Sequence, residues 1–168
     1  MASGETLEKI VTENEAPLLR YAWRYLQNES LAQDAVQESF VKYSQTIPGT
    51  IFNPRAWLYK TARNYCLNIL RKQHRRPEID LEHAEPVVAG SSSQPDAGLI
   101  HAENRTVLLR CLNRLKAKHK EAVILKLEHG KSYREIAEIM NLSVSNVGFI
   151  LHAALKELKQ NFSEEISK

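Results

Sequence analysis

Along residues 132–158 the apolar positions Val147, Leu151, Ala154, Leu155 and Leu158 recur at the helical period, forming one stripe that would pack on Ile136 and Met140. Just upstream, Ser132 and Glu135 have the spacing of a capping box, and Ser143 can cap the next helix. Asn141 stands between them, four residues after Ala137, and Asn is one of the few residues that tolerates a left-handed backbone. The pattern predicts two short-coupled helices with a tight turn, a helix-turn-helix. Phe149 and Ile150 fall off the apolar stripe. Gly148 inside the second helix costs up to about 1 kcal/mol against Ala, which suggests a close approach there.

The same reading divides the rest of the chain. Helices are predicted over residues 5–27, over 31–45 with Ser30 and Gln33 as capping box, and over 54–76 with Asn53 as cap and Pro54 at the first helical position. Pro77 ends the third. Residues 77–96, PEIDLEHAEPVVAGSSSQPD, carry three prolines and a Gly-Ser-Ser-Ser run without sustained period, and read as a linker. Beyond it come helices near 97–116 and 118–129, the latter closed by Gly130, and then the helix pair. No strand or internal repeat is evident. The expected fold is all-α: two small helical domains, 1–76 and 97–168, joined by a flexible linker at 77–96, the second a four-helix, winged-helix-like helix-turn-helix domain. A linker of this composition permits a splayed or a closed pair.

Charge sharpens that division. The overall balance of +3 over 168 residues conceals blocks. Residues 1–53 carry four basic and seven acidic side chains, 54–76 seven basic and none acidic, 77–104 none and six, and 105–168 twelve and seven. Two basic segments separated by an acidic spacer fit two contacts with a polyanion. The opposite net charges of 1–53 and 105–168 would also favour a closed arrangement. Cys66 and Cys111 are isolated and the six histidines have no ligand spacing, so no disulfide framework, metal or other cofactor is expected. MASGETLEKI lacks the basic-then-apolar pattern of a signal peptide and the longest apolar runs are short, so a cytoplasmic protein without membrane insertion is expected.

On an ideal helix, residues 54–76 place Leu58, Ala62, Tyr65 and Ile69 on one side. Lys60, Arg63, Asn64, Asn68, Arg71 and Arg75 gather on the other, with no carboxylate in the segment to neutralise them. Most charge runs are solvated faces, but seven cations without an acid point to nucleic acid. The cations would hold phosphates and the asparagines could read a base edge. The Pro-Gly loop before the helix, SQTIPGTIFN, could hold an unstacked base. Phe52, Trp57, Tyr59 and Tyr65 are candidate stacking platforms, although aromatics at this density are more often core; Trp57 falls towards the basic side.

Two segments, in order, resemble the extracytoplasmic-function class of bacterial sigma-70-type RNA polymerase sigma factors. LAQDAVQESFVKYSQ with NPRAWLYKTARNYCLNILRKQHRR is similar to that family's polymerase-binding and promoter-melting domain. LNRLKAKHKEAVILKLEHGKSYREIAEIMNLSVSNVGFILHAALKEL is similar to its promoter-binding C-terminal domain. The resemblance implies a dissociable subunit that gives core RNA polymerase its promoter preference, with core polymerase and promoter DNA as partners, and an anti-sigma factor as a further one. Asp34, Gln37 and Glu38 match the D-x-x-Q-E pattern that docks on the polymerase clamp helices, an acidic and amide surface suited to basic partner groups. The basic helix with Trp57, Lys60, Arg63, Asn64, Asn68, Arg71 and Arg75, and the loop before it, match the element that captures single-stranded −10 DNA and a flipped base. The helix pair matches the reader of the −35 duplex. Its DNA-facing set is Ser143, Ser145, Asn146, Phe149, His152 and Lys156, with Lys131 and Arg134, or Lys116, Lys118 and Lys120, anchoring phosphate.

The recognition helix departs from the family. Where the pattern is T-V-K-S-R-L-x-R-A-R, residues 146–155 read NVGFILHAAL, and four expected cations are missing. Phe149 and Ile150 then contact base methyls, another protein, or an added element such as the C-terminal tail. The competing reading is a sigma-like regulator that binds polymerase or an anti-sigma partner but reads the −35 duplex weakly. A one-component repressor would need a ligand pocket or dimerisation helix, and would leave the first basic segment without a role. An enzyme would need a nucleophile elbow, phosphate-cradling loop, metal set or carboxylate pair; none is legible, and no small-molecule substrate is expected.

Overall fold

A computed structural model describes residues 6–74 and 99–167, which form helices α1 (Leu7–Leu26), α2 (Glu29–Ser44), α3 (Pro54–His74), α4 (Leu99–Arg114), α5 (Ala117–Leu127), α6 (Tyr133–Met140) and α7 (Val144–Ile166). The described residues contain no strand, so the helix-turn-helix has no wing among them. Arg75 and the predicted linker at 77–96 lie outside the described residues.

Local chemistry sets most boundaries. Asn53 Oδ1 accepts from the Ala56 amide at 3.1 Å and starts α3 at Pro54. Both halves of the Ser132–Glu135 capping box form at α6, with the Ser132 amide donating to Glu135 Oε2 at 2.8 Å. Asn141 takes the left-handed conformation at φ 55° that ends α6, and Ser143 Oγ accepts from the Asn146 amide at 3.1 Å to open α7. α2 differs from expectation. It begins at Glu29, capped by Asn28 Oδ1 on the Leu31 amide at 3.0 Å, so Ser30 lies inside the first turn. Two residues separated by one position could cap; the earlier one adds two residues of helix.

Helices α1, α2 and α3 pack around Leu18, Ala22, Ala32, Ala35, Leu58 and Ala62, all excluded from solvent. Helices α5, α6 and α7 pack around Val123, Leu125, Ile136, Ile139, Val147, Leu151 and Ala154, and α4 lies along α7, tied by Arg114 to Glu165 at 2.8 Å. The apolar stripe of α7 is as expected at Val147, Leu151, Ala154 and Leu158, but Leu155 is exposed and Ile150 is buried. Ile150 lies off the α6-facing stripe yet is buried, beside a notch that it shares with Leu142 and the start of α5, because α7 packs against α4, α5 and α6.

The two units close on each other. α3 packs against α6, and their apolar residues belong to one buried cluster. The contacts across the seam are strongly polar. Arg63 grips Glu121, Arg24 pairs with Glu128, the Tyr21 hydroxyl donates to Glu121 at 2.8 Å, and Tyr59 Oη meets His129 Nδ1 at 2.9 Å. Here the cations come from the first unit and the carboxylates from the second, the reverse of the pairing that net block charges suggest.

Candidate nucleic-acid interface

The outer face of α3 carries Asn64, Asn68 and Arg71, all exposed, at helical spacing. The Arg71 guanidinium reaches Asn68 Oδ1 at 3.5 Å, so cation and amide form one patch. Lys60 is half-buried at its edge. At the entry to α3, Phe52 is fully exposed beside a loop cavity of about 210 Å³ lined by Tyr43, Thr46, Ile47, Pro48, Gly49 and Ile51. Gly49 takes φ 82°, a turn conformation that L side chains rarely adopt. Trp57 is half-buried and packs edge-on against Tyr43 with ring centroids 5.8 Å apart, which makes it a wall of the loop as much as a platform.

Arg63 is placed differently from Lys60, Asn64, Asn68 and Arg71. It turns away from solvent and holds the Glu121 carboxylate with Nε at 2.6 Å and Nη2 at 3.2 Å. Burial alone would lower its pKa, but the hydrogen bonds and charge of Glu121 raise it, so the guanidinium stays charged. On a helical wheel Arg63 is about 60° from Lys60, on the side towards buried Tyr59. It is a flank residue that the neighbouring unit captures. Lys131 is likewise inside, only 7% exposed, with its ammonium 4.0 Å from the Tyr59 ring centroid. Burial pushes its pKa down. In the closed arrangement neither residue reaches a phosphate.

In the second unit α6 and α7 meet at a bend of 101° across the Asn141 turn. Ser145, Asn146, Phe149, His152 and Lys156 are all exposed, and Phe149 retains 72% of its surface. Ser143 is exposed, though its hydroxyl oxygen is engaged by the cap, and Arg134 is exposed near the start of α6. Lys116, Lys118 and His119 rim a notch beside Asn146 and Leu142, whereas Lys120 is buried. A Cβ added at Gly148 would meet Tyr133 at 3.7 Å, ordinary contact, so no close approach within the chain requires that glycine.

On the far side of the first unit, Asp34 and Gln37 are exposed on α2, and Glu38 is half-buried and paired with Lys42 at 3.3 Å. Gln37 borders an apolar groove of about 530 Å³ between α1 and α2, lined by Val11, Leu19, Val36 and Phe40. Among the described residues no cluster of His, Cys, Asp and Glu could hold a metal ion. Nor is any single helix there long and apolar enough to cross a membrane. The Cys66 thiol is buried, which pushes its pKa up to about 12.

The features missed in sequence are those of the seam: Tyr21, Tyr25, Glu121 and His129. Their one local signal is a carboxylate followed by the apolar run AVIL at the start of a core helix, which says that Glu121 is buried but not by whom.

The structure thus comprises two all-helical units, one with a cationic helix that follows a loop with an exposed aromatic residue and one with a helix pair bent at a tight turn. Residues 10–76 match the family description "Sigma-70 region 2" and residues 105–158 match "Sigma-70, region 4". The chain is 28% identical to the RNA polymerase sigma factor YlaC of Bacillus subtilis over 98% of its length and 96% of that protein's. It is 32% identical to the ECF RNA polymerase sigma-E factor of Haemophilus influenzae over 74% of its length and 70% of the relative's. Its fold is similar to that of the sigma factor RpoE in its complex with the anti-sigma factor NepR from Bartonella quintana, with a TM-score of 0.68, 21% identity and coverage of 93% of this chain and 96% of that one. The chain belongs to the sigma-70 family, as an extracytoplasmic-function sigma factor, a subunit that directs RNA polymerase to promoters.

Proposed function

We propose that promoter recognition is divided between the outer face of α3 with the 45–53 loop, which takes single-stranded −10 DNA, and the exposed face of α7, which reads the −35 duplex. The observation that carries this reading is the exposed run of Asn64, Asn68 and Arg71 on a helix without a carboxylate, preceded in the chain by the exposed Phe52 and its loop. Arg71 and Lys60 hold phosphate, Asn64 and Asn68 meet base edges, and Phe52 stacks on a displaced base. On α7, Asn146 and Phe149 face the groove, one as a bidentate amide and the other as an apolar contact for a thymine methyl. Since α7 lacks basic residues at these positions, Arg134, Lys156 and the Lys116–Lys118 rim supply its phosphate contacts. Arg63 and Lys131 join the DNA surface once the units separate.

Asp34, Gln37 and Glu38, with the groove beside them, form the contact with core polymerase. Residues 1–76, 77–96 and 97–168 act as polymerase-binding and melting domain, tether and −35 domain. An anti-sigma protein, as bound by the RpoE relative, is the further partner. The chain contributes binding and positioning in the cytoplasm, and the polymerase performs the chemistry. Run-off transcription with purified core enzyme on a promoter library tests the whole reading. Transcripts from a narrow promoter subset, lost with Arg71→Glu while polymerase binding persists, are expected. Equal loss of both would overturn the assignment of faces.

A further inference from the structure

We propose that α7 reads A·T pairs and no guanine: Asn146 takes the adenine of one pair and the Phe149 ring the thymine methyl of the next, so that two adjacent A·T pairs define the −35 element this chain selects. This rests on the reading of α7 as the helix that enters the −35 groove. The commonest recognition of guanine is an Arg or Lys bidentate to its O6 and N7 acceptors. α7 has no charged side chain from Val144 to Leu155, and its first cation is Lys156. Lys156 lies ~18 Å along the helix axis from Val144, more than the ~12 Å width of the major groove, so it meets backbone rather than a base. Bases are read by the N-terminal turns of such a helix, here through Ser145, Asn146 and Phe149, all exposed. His152 is exposed a turn further on, past that stretch.

Each of these side chains has its own rule. The Asn146 amide offers one donor and one acceptor, which match adenine N7 and the N6 amino group; guanine presents two acceptors there, and the amide oxygen would be left facing one of them. The Ser145 hydroxyl donates or accepts, and so prefers no base. Phe149 decides more. Its ring keeps 72% of its surface in water, and the one apolar group that the bases offer in the major groove is the thymine C5-methyl. Asn146 and Phe149 are three residues apart in the sequence. That spacing is ~4.5 Å along the axis and ~60° around it, close to the ~3.4 Å rise between base pairs, so the two address neighbouring pairs. Lys116 and Lys118 rim the notch beside Asn146 at the start of α5, where they hold phosphate and add strength without choosing a base.

The test uses holoenzyme assembled from the full chain and core RNA polymerase, and a promoter duplex library with the −35 hexamer randomised. Enriched hexamers are expected to share two adjacent A·T pairs. In the best of them, uracil for thymine at one pair should weaken binding about fourfold, the loss of one buried methyl. At the other, 7-deazaadenine for adenine should weaken it by at least about fivefold, whereas 7-deazaguanine at any guanine should leave it within about twofold. Phe149→Ala should abolish the uracil penalty and Phe149→Leu keep part of it, while Asn146→Ala should abolish the 7-deazaadenine penalty alone. Both residues are exposed, so these variants leave the core intact. A guanine whose N7 is required, or a uracil penalty that survives Phe149→Ala, overturns the inference, and hexamer enrichment that still depends on α7 then keeps the −35 reading. If no hexamer is enriched and neither variant changes binding, the assignment of α7 to the duplex fails as well.

Discussion

α3 and α7 are assigned to the same kind of partner, yet they solve opposite problems. α3 is rich in cations and has part of its charge engaged, with Arg63 on Glu121 while Asn64, Asn68 and Arg71 face solvent. α7 has its reading face free but almost no charge on it, and its largest exposed group is Phe149. On the proposed division of promoter contacts, the first helix would supply most of the phosphate contacts, which set strength, and the second mainly base contacts, which set choice.

The most severe way to break this comparison is to dissolve one side of it. Leu151→Ala empties a site, 2% exposed, at which α7 packs, and should lower stability by about 2–5 kcal/mol in denaturant melts. The −35 footprint should disappear while oligonucleotide binding by α3 remains; loss of both would show that the units do not act separately.

Acid should act on the boundary between them. The His129 side chain is 1% exposed, surrounded by Tyr21, Tyr59, Lys131, Arg24, Arg20 and Glu128, and burial followed by the charge of Lys131 lowers its pKa to about 4. Its ordinary value is near 6.5, so the open or unfolded chain binds a proton at a pH where the closed chain does not. The closed form keeps its full margin above pH 6.5 and loses it progressively towards pH 4, by up to about 3 kcal/mol. Glu135 follows later. Its pKa is lowered because the Ser132 hydrogen bonds, Asn53 and Lys131 outweigh burial, so its contribution is complete above the ordinary carboxylate pKa and is lost as the pH falls from there through the lowered value. Thermal melts and scattering from pH 7.5 to 4.5 should show softening that His129→Gln reduces; an unchanged slope in that variant would assign the effect elsewhere.

Smaller changes sharpen the contrast. Asn146→Ala should cost about 1–3 kcal/mol at one −35 base pair and nothing at its neighbours, as measured by binding to all single-base variants. Arg71→Ala should instead weaken binding to every sequence alike and reduce the salt slope by about 1. Interchanged signatures would mean that the roles of the helices are reversed. Least in size, Gly148→Ala should stabilise α7 by up to about 1 kcal/mol in a thermal melt, since the added methyl meets Tyr133 at ordinary distance; a loss of stability would reveal strain.

What was legible in the sequence follows from range. Asn53, Ser132 with Glu135, Asn141 and Ser143 act on amides within a few residues, and each forms the cap or turn that its position implies. The same logic misplaced the start of α2, where Asn28 and Ser30 compete within one turn. Periodicity located the buried stripe of α7 at Val147, Leu151 and Ala154, but treated the helix as packed on one side, and so missed that Ile150 is enclosed by α5. The engagement of Arg63 could not be read at all. Its partner is 58 residues away, and a basic face on a wheel looks the same whether it meets water, phosphate or a carboxylate.

The seam of tyrosines, His129 and paired charges has one more consequence. Surfaces of this kind can come apart and remain wettable, because each hydroxyl, guanidinium and carboxylate regains water when its counterpart leaves. Separation would therefore rewet much of the seam, while the apolar residues that α3 and α6 share in one buried cluster would also meet solvent.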